Sequence, residues 1–220
     1  GVSASNGGDR YGPGPIGVID GSGIDKTVDA DDPSTWLHDG SGYQSELMCW
    51  FFKDGDGLPT TGSNGKLAWI SLDLGSSEAV GELWLFNNNY QGGPSGTATY
   101  NLYTADSPTV ALPATPNKNA FASTGLTPAG DYDFSSGGWT LFNTAGVLTA
   151  PKAGTTSVDL TGVSARYLAL EIMTGHGDTY NGGRVGIEEL AVTAGVIPEP
   201  GTMGLLVVAG FVVLLYRRHS

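Results

Sequence analysis

Residues 67–74 read Leu-Ala-Trp-Ile-Ser-Leu-Asp-Leu, and Ile70, Leu72 and Leu74 fall on one face of an extended chain. Such period-two alternation predicts a half-buried strand. Residues 80–87 are apolar on both faces, as in a central strand covered from two sides, and 97–104 alternates with a β-rich composition. Further strands are predicted over 155–160, 166–173 and 185–193. Turns rich in Gly or Pro separate them, 91–96 and 135–138 among them. Between 105 and 154 the periodicity fades, which predicts long loops with one or two strands around 139–142. No internal repeat interrupts the pattern, and 1–195 reads as one all-β domain.

The pattern changes at 196–220. Pro198-Glu199-Pro200 can continue neither a strand nor a helix interior. An uncharged apolar run then extends over 203–216, and Arg217 and Arg218 follow. As a helix its 14 residues reach about 21 Å, short of the roughly 30 Å of bilayer hydrocarbon. The breaker before it and the arginines after it suit a brief anchor with its basic end kept in the cytoplasm. In that order the three parts resemble the PEP-CTERM sorting signal of exopolysaccharide-producing Gram-negative bacteria. The resemblance implies a transient stay in the inner membrane, cleavage near Pro198–Pro200 by an exosortase, and release to the cell surface or extracellular matrix. A eukaryotic lipid-anchor signal also ends in a hydrophobic tail, but the two terminal arginines argue against it. The chain opens on Gly1 rather than Met, so an export leader is not open to inspection.

Composition narrows the function classes. With 35 Gly and 12 Pro but only 10 Lys plus Arg in 220 residues, short strands and tight turns are favoured over long helices. Hydrophobic residues make up 40% of the chain, enough for a buried core. The formal net charge of −12 repels phosphate backbones and argues against nucleic-acid binding. It suits calcium or a neutral polymer, and equally serves solubility alone. Cys49 is the one cysteine, so no intrachain disulfide can form. Beside Trp50, Phe51 and Phe52 it reads as a small buried hydrophobe.

Three segments resemble the discoidin, or coagulation-factor type C, branch of the galactose-binding-domain-like proteins. The first is Ile19-Asp20-Gly21-Ser22-Gly23 with Thr35-Trp36-Leu37 after it; the second is Trp69-Ile70-Ser71-Leu72-Asp73-Leu74-Gly75. The third is Ala165-Arg166-Tyr167-Leu168-Ala169-Leu170-Glu171-Ile172, closed by Val185-Gly186-Ile187-Glu188-Glu189-Leu190. The chain departs from the pattern between Gly21 and Thr35, where it carries extra residues. The resemblance implies a jelly-roll β-sandwich, followed here by the single apolar helix of the tail. Trp69, Trp84, Tyr167 and Leu170 are then expected in the core, and Arg166 is expected to stack on a ring or pair with Glu171.

The same resemblance implies a structural calcium between the first loop and the last strand. Carried over by position, its ligands are Asp20, Thr35 and Glu189, with Asp25 as an extra carboxylate and Ser22 as a carbonyl donor. The alternative is an ordinary Asp20-Gly21 turn and a solvated Glu189. Asp54-Gly55-Asp56-Gly57 lacks the later Glu of a calcium loop, and Gly21-Ser22-Gly23 lacks the helix of a phosphate loop. Asp29–Asp32 reads as a solvated acidic loop.

The leading expectation is therefore a non-catalytic surface module that binds carbohydrate, with the producer's exopolysaccharide as ligand. Sugar recognition calls for aromatic platforms on loops, and Trp50, Tyr90, Trp139 and Tyr180 are candidates. Asn87–Asn89, Gln91, His176 and Asn181 could supply hydrogen bonds. A structural matrix or coat protein without a specific glycan is the alternative. A glycoside hydrolase ranks third, because 22 acidic residues always offer carboxylate pairs and no nucleophile elbow, zinc helix or triad signature is present.

Overall fold

The computed structural model describes residues 2–4, 24–38, 50–52, 68–87, 96–112, 132–148, 155–176 and 185–195. Among them the chain is all-β and pairs antiparallel from strand to strand, with nine strands and one 3₁₀ turn. The strands are β1 (Val2–Ala4), β2 (Ile24–Asp25), β3 (Leu37–His38), β4 (Trp50–Phe52), β5 (Ala68–Asn87), β6 (Thr97–Ala105), β7 (Thr140–Val147), β8 (Thr156–Gly175) and β9 (Val185–Ala194). Seven of them form one sheet in the order β4-β9-β5-β8-β6-β7, with β1 added to β5; β2 and β3 form a separate pair.

Two long strands organise this sheet. The stretches predicted as 67–74 and 80–87 are one 20-residue strand, β5, and those at 155–160 and 166–173 are likewise one 20-residue strand, β8. The partial separation seen in the sequence survives as a crease. Pairing runs from Ala68↔Ile172 to Asp73↔Tyr167, lapses, and resumes at Glu78↔Ala165. In the lapse Gly75 adopts φ +93°, a conformation that side chains rarely tolerate, and its N–H donates to Asp73 Oδ1 at 2.9 Å. The two halves of β5 have different neighbours: β1 pairs with Ile70–Leu72, and β9 pairs from Val80 to Asn87.

Both halves bury an apolar face in one core. Ile70, Leu72, Leu102, Leu168, Leu170 and Ile172 come from the first half; Leu83, Leu85, Leu160 and Leu190 come from the second. Each strand pair thus turns alternate residues into shared apolar interior, as the period-two pattern requires. Of the expected core residues, Trp69 and Leu170 are buried and Tyr167 is partly buried against the core, whereas Trp84 is partly buried against the separate Trp36–Phe86 cluster.

The outer faces are covered as well. Over the first half lies a cluster from the stretch that looked featureless in sequence. Phe134 stacks on Tyr103 at 5.3 Å and meets Trp69 edge-on at 5.7 Å. Trp139 packs edge-on against Phe134 and gives its indole N–H to Tyr132 Oη, and that hydroxyl donates to Val110 O. Such aromatic pairs add about 0.5–1.5 kcal/mol each beyond their buried area. Over the second half, Trp36 stacks on Phe86 at 5.8 Å. Among the described residues no helix is long and apolar enough to cross a membrane. The tail, with Pro198, Glu199, Pro200, Arg217 and Arg218, lies outside the described residues.

Candidate ligand-binding end

Four strand termini meet at one end of the sheet. Asn87 closes β5 and Thr97 opens β6, and the buried Asn87 carboxamide holds Thr97 by two bonds: Nδ2 donates to Thr97 O at 2.7 Å, and Thr97 N–H donates to Oδ1 at 2.9 Å. Thr97 Oγ1 in turn donates to Gly186 O at 3.2 Å, at the start of β9. The His176 N–H, just after β8, donates to Gly96 O at 3.0 Å. Polar groups buried this completely need partners, and here the partners are the roots of the connecting segments.

Topology brings His176 and the strand of Trp50 to this end. His176 is exposed at this end. Trp50 lies on β4, opposite Ile187 near the start of β9. Tyr90 belongs to the segment leaving Asn87 and returning to Gly96, and Tyr180 to the segment from His176 to Val185; both residues lie outside the described ones. Trp139 is elsewhere. It precedes Thr140, which pairs with Thr104 at the other end of β6, and its ring is 9% exposed within the aromatic cluster. Its neighbours Tyr132, Phe134 and Tyr167 take the ring contacts that a sugar would need.

The acidic segment is also built against this half of the sheet. Pro33–Thr35 forms the 3₁₀ turn, capped by Asp32, whose carboxylate accepts from Ser34 N–H at 2.9 Å. The bonds to Ser34 hold the Asp32 carboxyl below its usual range. Thr35 Oγ1 hydrogen-bonds the main-chain oxygens of Asp29 and Asp32, and the Trp36 indole N–H donates to Asp29 O at 2.9 Å. The Lys26 ammonium sits 3.9 Å from the centre of the Trp36 ring. Trp36 rests on Phe86, and Phe86 pairs in register with Glu189. Thr35 and Glu189 are thus brought to the same face of the sheet.

Glu189 is 2% exposed, so it is no solvated strand residue, and its neighbour Glu188 is buried too. The backbone of Asp25 pairs with Leu37 across β2 and β3, while Asp20 and Ser22 lie outside the described residues. A hard cation takes about six to eight oxygens. The carbonyls of Asp29 and Asp32, the Thr35 hydroxyl and the Glu189 carboxylate are oxygens of that kind. Among the described residues, however, no three His, Cys, Asp or Glu side chains gather into a metal-holding group. Those oxygens are of the type calcium takes, and the Asp29 and Asp32 carbonyls already accept from Thr35 and Trp36.

Of the two alternatives for Arg166, the ring stack holds and the Glu171 pair does not. Arg166 stacks on Tyr167, with the guanidinium carbon 4.8 Å from the ring centre, but its ion pair is with Asp73 across the strands and not with Glu171. Nε and Nη2 donate to the two carboxylate oxygens at 2.9 and 3.1 Å. Glu171 accepts instead from Asn101 Nδ2 and Tyr103 Oη. Nearness at the crease, where the strict pairing lapses, explains the choice. Asp73 pairs directly with Tyr167, one residue from Arg166 at the crease, whereas Glu171 lies five residues further along β8.

No protein-family model matches the chain, and no curated protein matches it in sequence. Among solved structures it is similar to a family 32 carbohydrate-binding module of a family 31 glycoside hydrolase, bound to N-acetylgalactosamine. That likeness has 12% identity and a TM-score of 0.48, and covers 87% of this chain and 95% of the other. A family 32 module from C. perfringens NanJ, in complex with galactose, is similar at 15% identity and a TM-score of 0.44 over 87% and 91% of the two chains. The family 32 module of AlyQ, with 4,5-unsaturated mannuronic acid, is similar at 17% identity and a TM-score of 0.46 over 88% and 93%.

Proposed function

We propose that this chain is an exported, non-catalytic carbohydrate-binding module with a galactose-binding-domain-like jelly roll, displayed on the surface or in the matrix of a Gram-negative bacterium. The observation that supports this reading is the pinned end of the sheet. Asn87, Thr97, Gly186 and His176 fix the roots of the segments that carry Tyr90 and Tyr180, beside the strand that carries Trp50. Rigid roots lower the ordering cost that a loop would otherwise meet on binding. The test is retention of the protein on columns of the producer's own polysaccharide and on a broad glycan array. Retention lost in Trp50→Ala and Tyr90→Ala is the expected result, and no retention on any glycan sinks the reading.

The tail completes the proposal. Pro198, Glu199 and Pro200 mark the cut by an exosortase-type protease, and 203–216 with Arg217 and Arg218 is the membrane-held remnant. Intact mass of the surface-borne protein is expected to end near residue 200; a mass that includes both arginines overturns this.

A structural coat protein is the second reading, and the edge of the sheet supports it. β7 is the last strand on its side among the described residues, and it leaves Leu141, Phe142 and Val147 exposed. Unpaired, apolar edges favour association between copies. Sedimentation with and without calcium separates the readings: concentration-dependent assembly without glycan retention favours the coat.

A further inference from the structure

A cleft of about 600 Å³ opens at the crease of the sheet, away from the pinned end. Ser71, Asp73, Asp106, Thr109, Arg166 and Tyr167 line it. From Thr97 to Asp106 the chain advances nine residues along β6, which puts the cleft roughly 30 Å from the pinned end. We propose that this cleft is a second binding site, for one unit of a neutral sugar, built from the buried Ser71 hydroxyl, the Asp73–Arg166 pair and Asp106.

Four observations carry the proposal. Ser71 is 1% exposed and lines the cleft, and among the described residues its hydroxyl has no hydrogen-bond partner. A buried hydroxyl left unmet is costly, so a ligand hydroxyl arriving there gains more than it would at a solvated surface. Arg166, which lines the cleft, uses Nε and Nη2 on Asp73, and a guanidinium carries five N–H groups in all, so further donors remain on it. Asp106 accepts from Ser77 Oγ at 2.6 Å through Oδ1, and its carboxylate supplies acceptors at the rim. Finally, Pro108, Leu112 and the half-buried Tyr167 ring give the cleft apolar surface beside these polar groups. Donors, acceptors and apolar surface in one volume match the mixed faces of a pyranose. The charges decide against an anionic ligand: Asp73 offsets Arg166, and Asp106 leaves the cleft net negative.

The site is independent of the reading given for the pinned end, and amide shifts tell the two apart. The full chain, labelled with ¹⁵N, is titrated with the methyl glycosides of galactose, glucose and mannose. Saturable shifts are expected at Ser71, Thr109 and Tyr167 with at least one of them. Failure of the pinned end alone would silence Gly96, His176 and Gly186 and leave the cleft shifts intact. Ser71→Ala is expected to weaken cleft binding about tenfold, the effect of one hydrogen bond to a buried group, without lowering the melting temperature. Thr109→Trp, which fills the mouth from an exposed position, is expected to abolish it. No saturable shift at the three cleft amides, or affinity unchanged in either variant, overturns the proposal.

Discussion

Asn87 and Thr97 are joined by a two-point clamp in which the carboxamide of one residue satisfies both backbone groups of the other, at 2.7 and 2.9 Å. Both residues are fully buried, so water cannot replace either partner. Asn87→Leu is expected to lower unfolding free energy by about 2–4 kcal/mol, from two unmet backbone groups. Asn87→Asp keeps an acceptor for Thr97 N–H but places a charge in the interior, and is expected to be destabilising as well. Denaturant melts of both variants measure this; a change within experimental error for Asn87→Leu removes the clamp from the account.

A second expectation concerns Gly146. It pairs with Tyr100 across β6 and β7, and a Cβ there would come within 2.6 Å of the Tyr100 ring. Tyr100 is 1% exposed and has no room to retreat. Gly146→Ala is therefore expected to cost about 1–3 kcal/mol, as overpacking does, and Gly146→Ala with Tyr100→Leu should recover part of it. Equal stability of the single variant and the parent in thermal melts would count against the packing described.

The Asp73–Arg166 pair predicts an acid limb in stability. The hydrogen bonds from Arg166 hold the Asp73 carboxyl below its usual range, so the folded state binds that proton less readily than the unfolded chain. Its contribution is complete above the ordinary aspartate range and is lost as pH falls through the depressed value. Both side chains are about a third exposed, so solvent screens the effect to at most about 1 kcal/mol. Asp73→Asn should flatten the corresponding part of the stability–pH curve between neutrality and strong acid. An acid limb identical to the parent's would show that Asp73 is not its source.

Calcium is the fourth expectation. If the Asp29–Asp32 segment and Glu189 share a cation, chelation should lower the melting temperature and added calcium should restore it, while Glu189→Gln should make the melt insensitive to both. A melt unmoved by EDTA in the parent chain removes the ion from this site.

Much of the sheet was legible because strand burial writes itself into the chain with period two. Ile70, Leu72 and Leu74 announce a buried face without any knowledge of the partner strand, and the separations near 75 and 162 announce a break. The aromatic cover at Tyr132, Phe134 and Trp139 was hidden. Its residues follow no period, because they come from an irregular segment whose geometry depends on Trp69 and Tyr103 lying beneath it. Trp139 was legible as an aromatic on a loop, but sequence cannot distinguish a ring offered to a ligand from one sealed against three others.

For the candidate sites the division is the same. Sequence by itself determined the all-β class, the alternating core, the acidic balance and the break before 203–216, since each follows from residue type and local spacing. Tertiary structure alone decided that Asn87, Thr97, His176 and Gly186 share one end, that Arg166 reaches Asp73, and that Ser71 is a buried hydroxyl at a cleft. Those facts join residues from about ten to more than ninety positions apart, and such pairings are set by strand order and register, which no local pattern in the chain encodes.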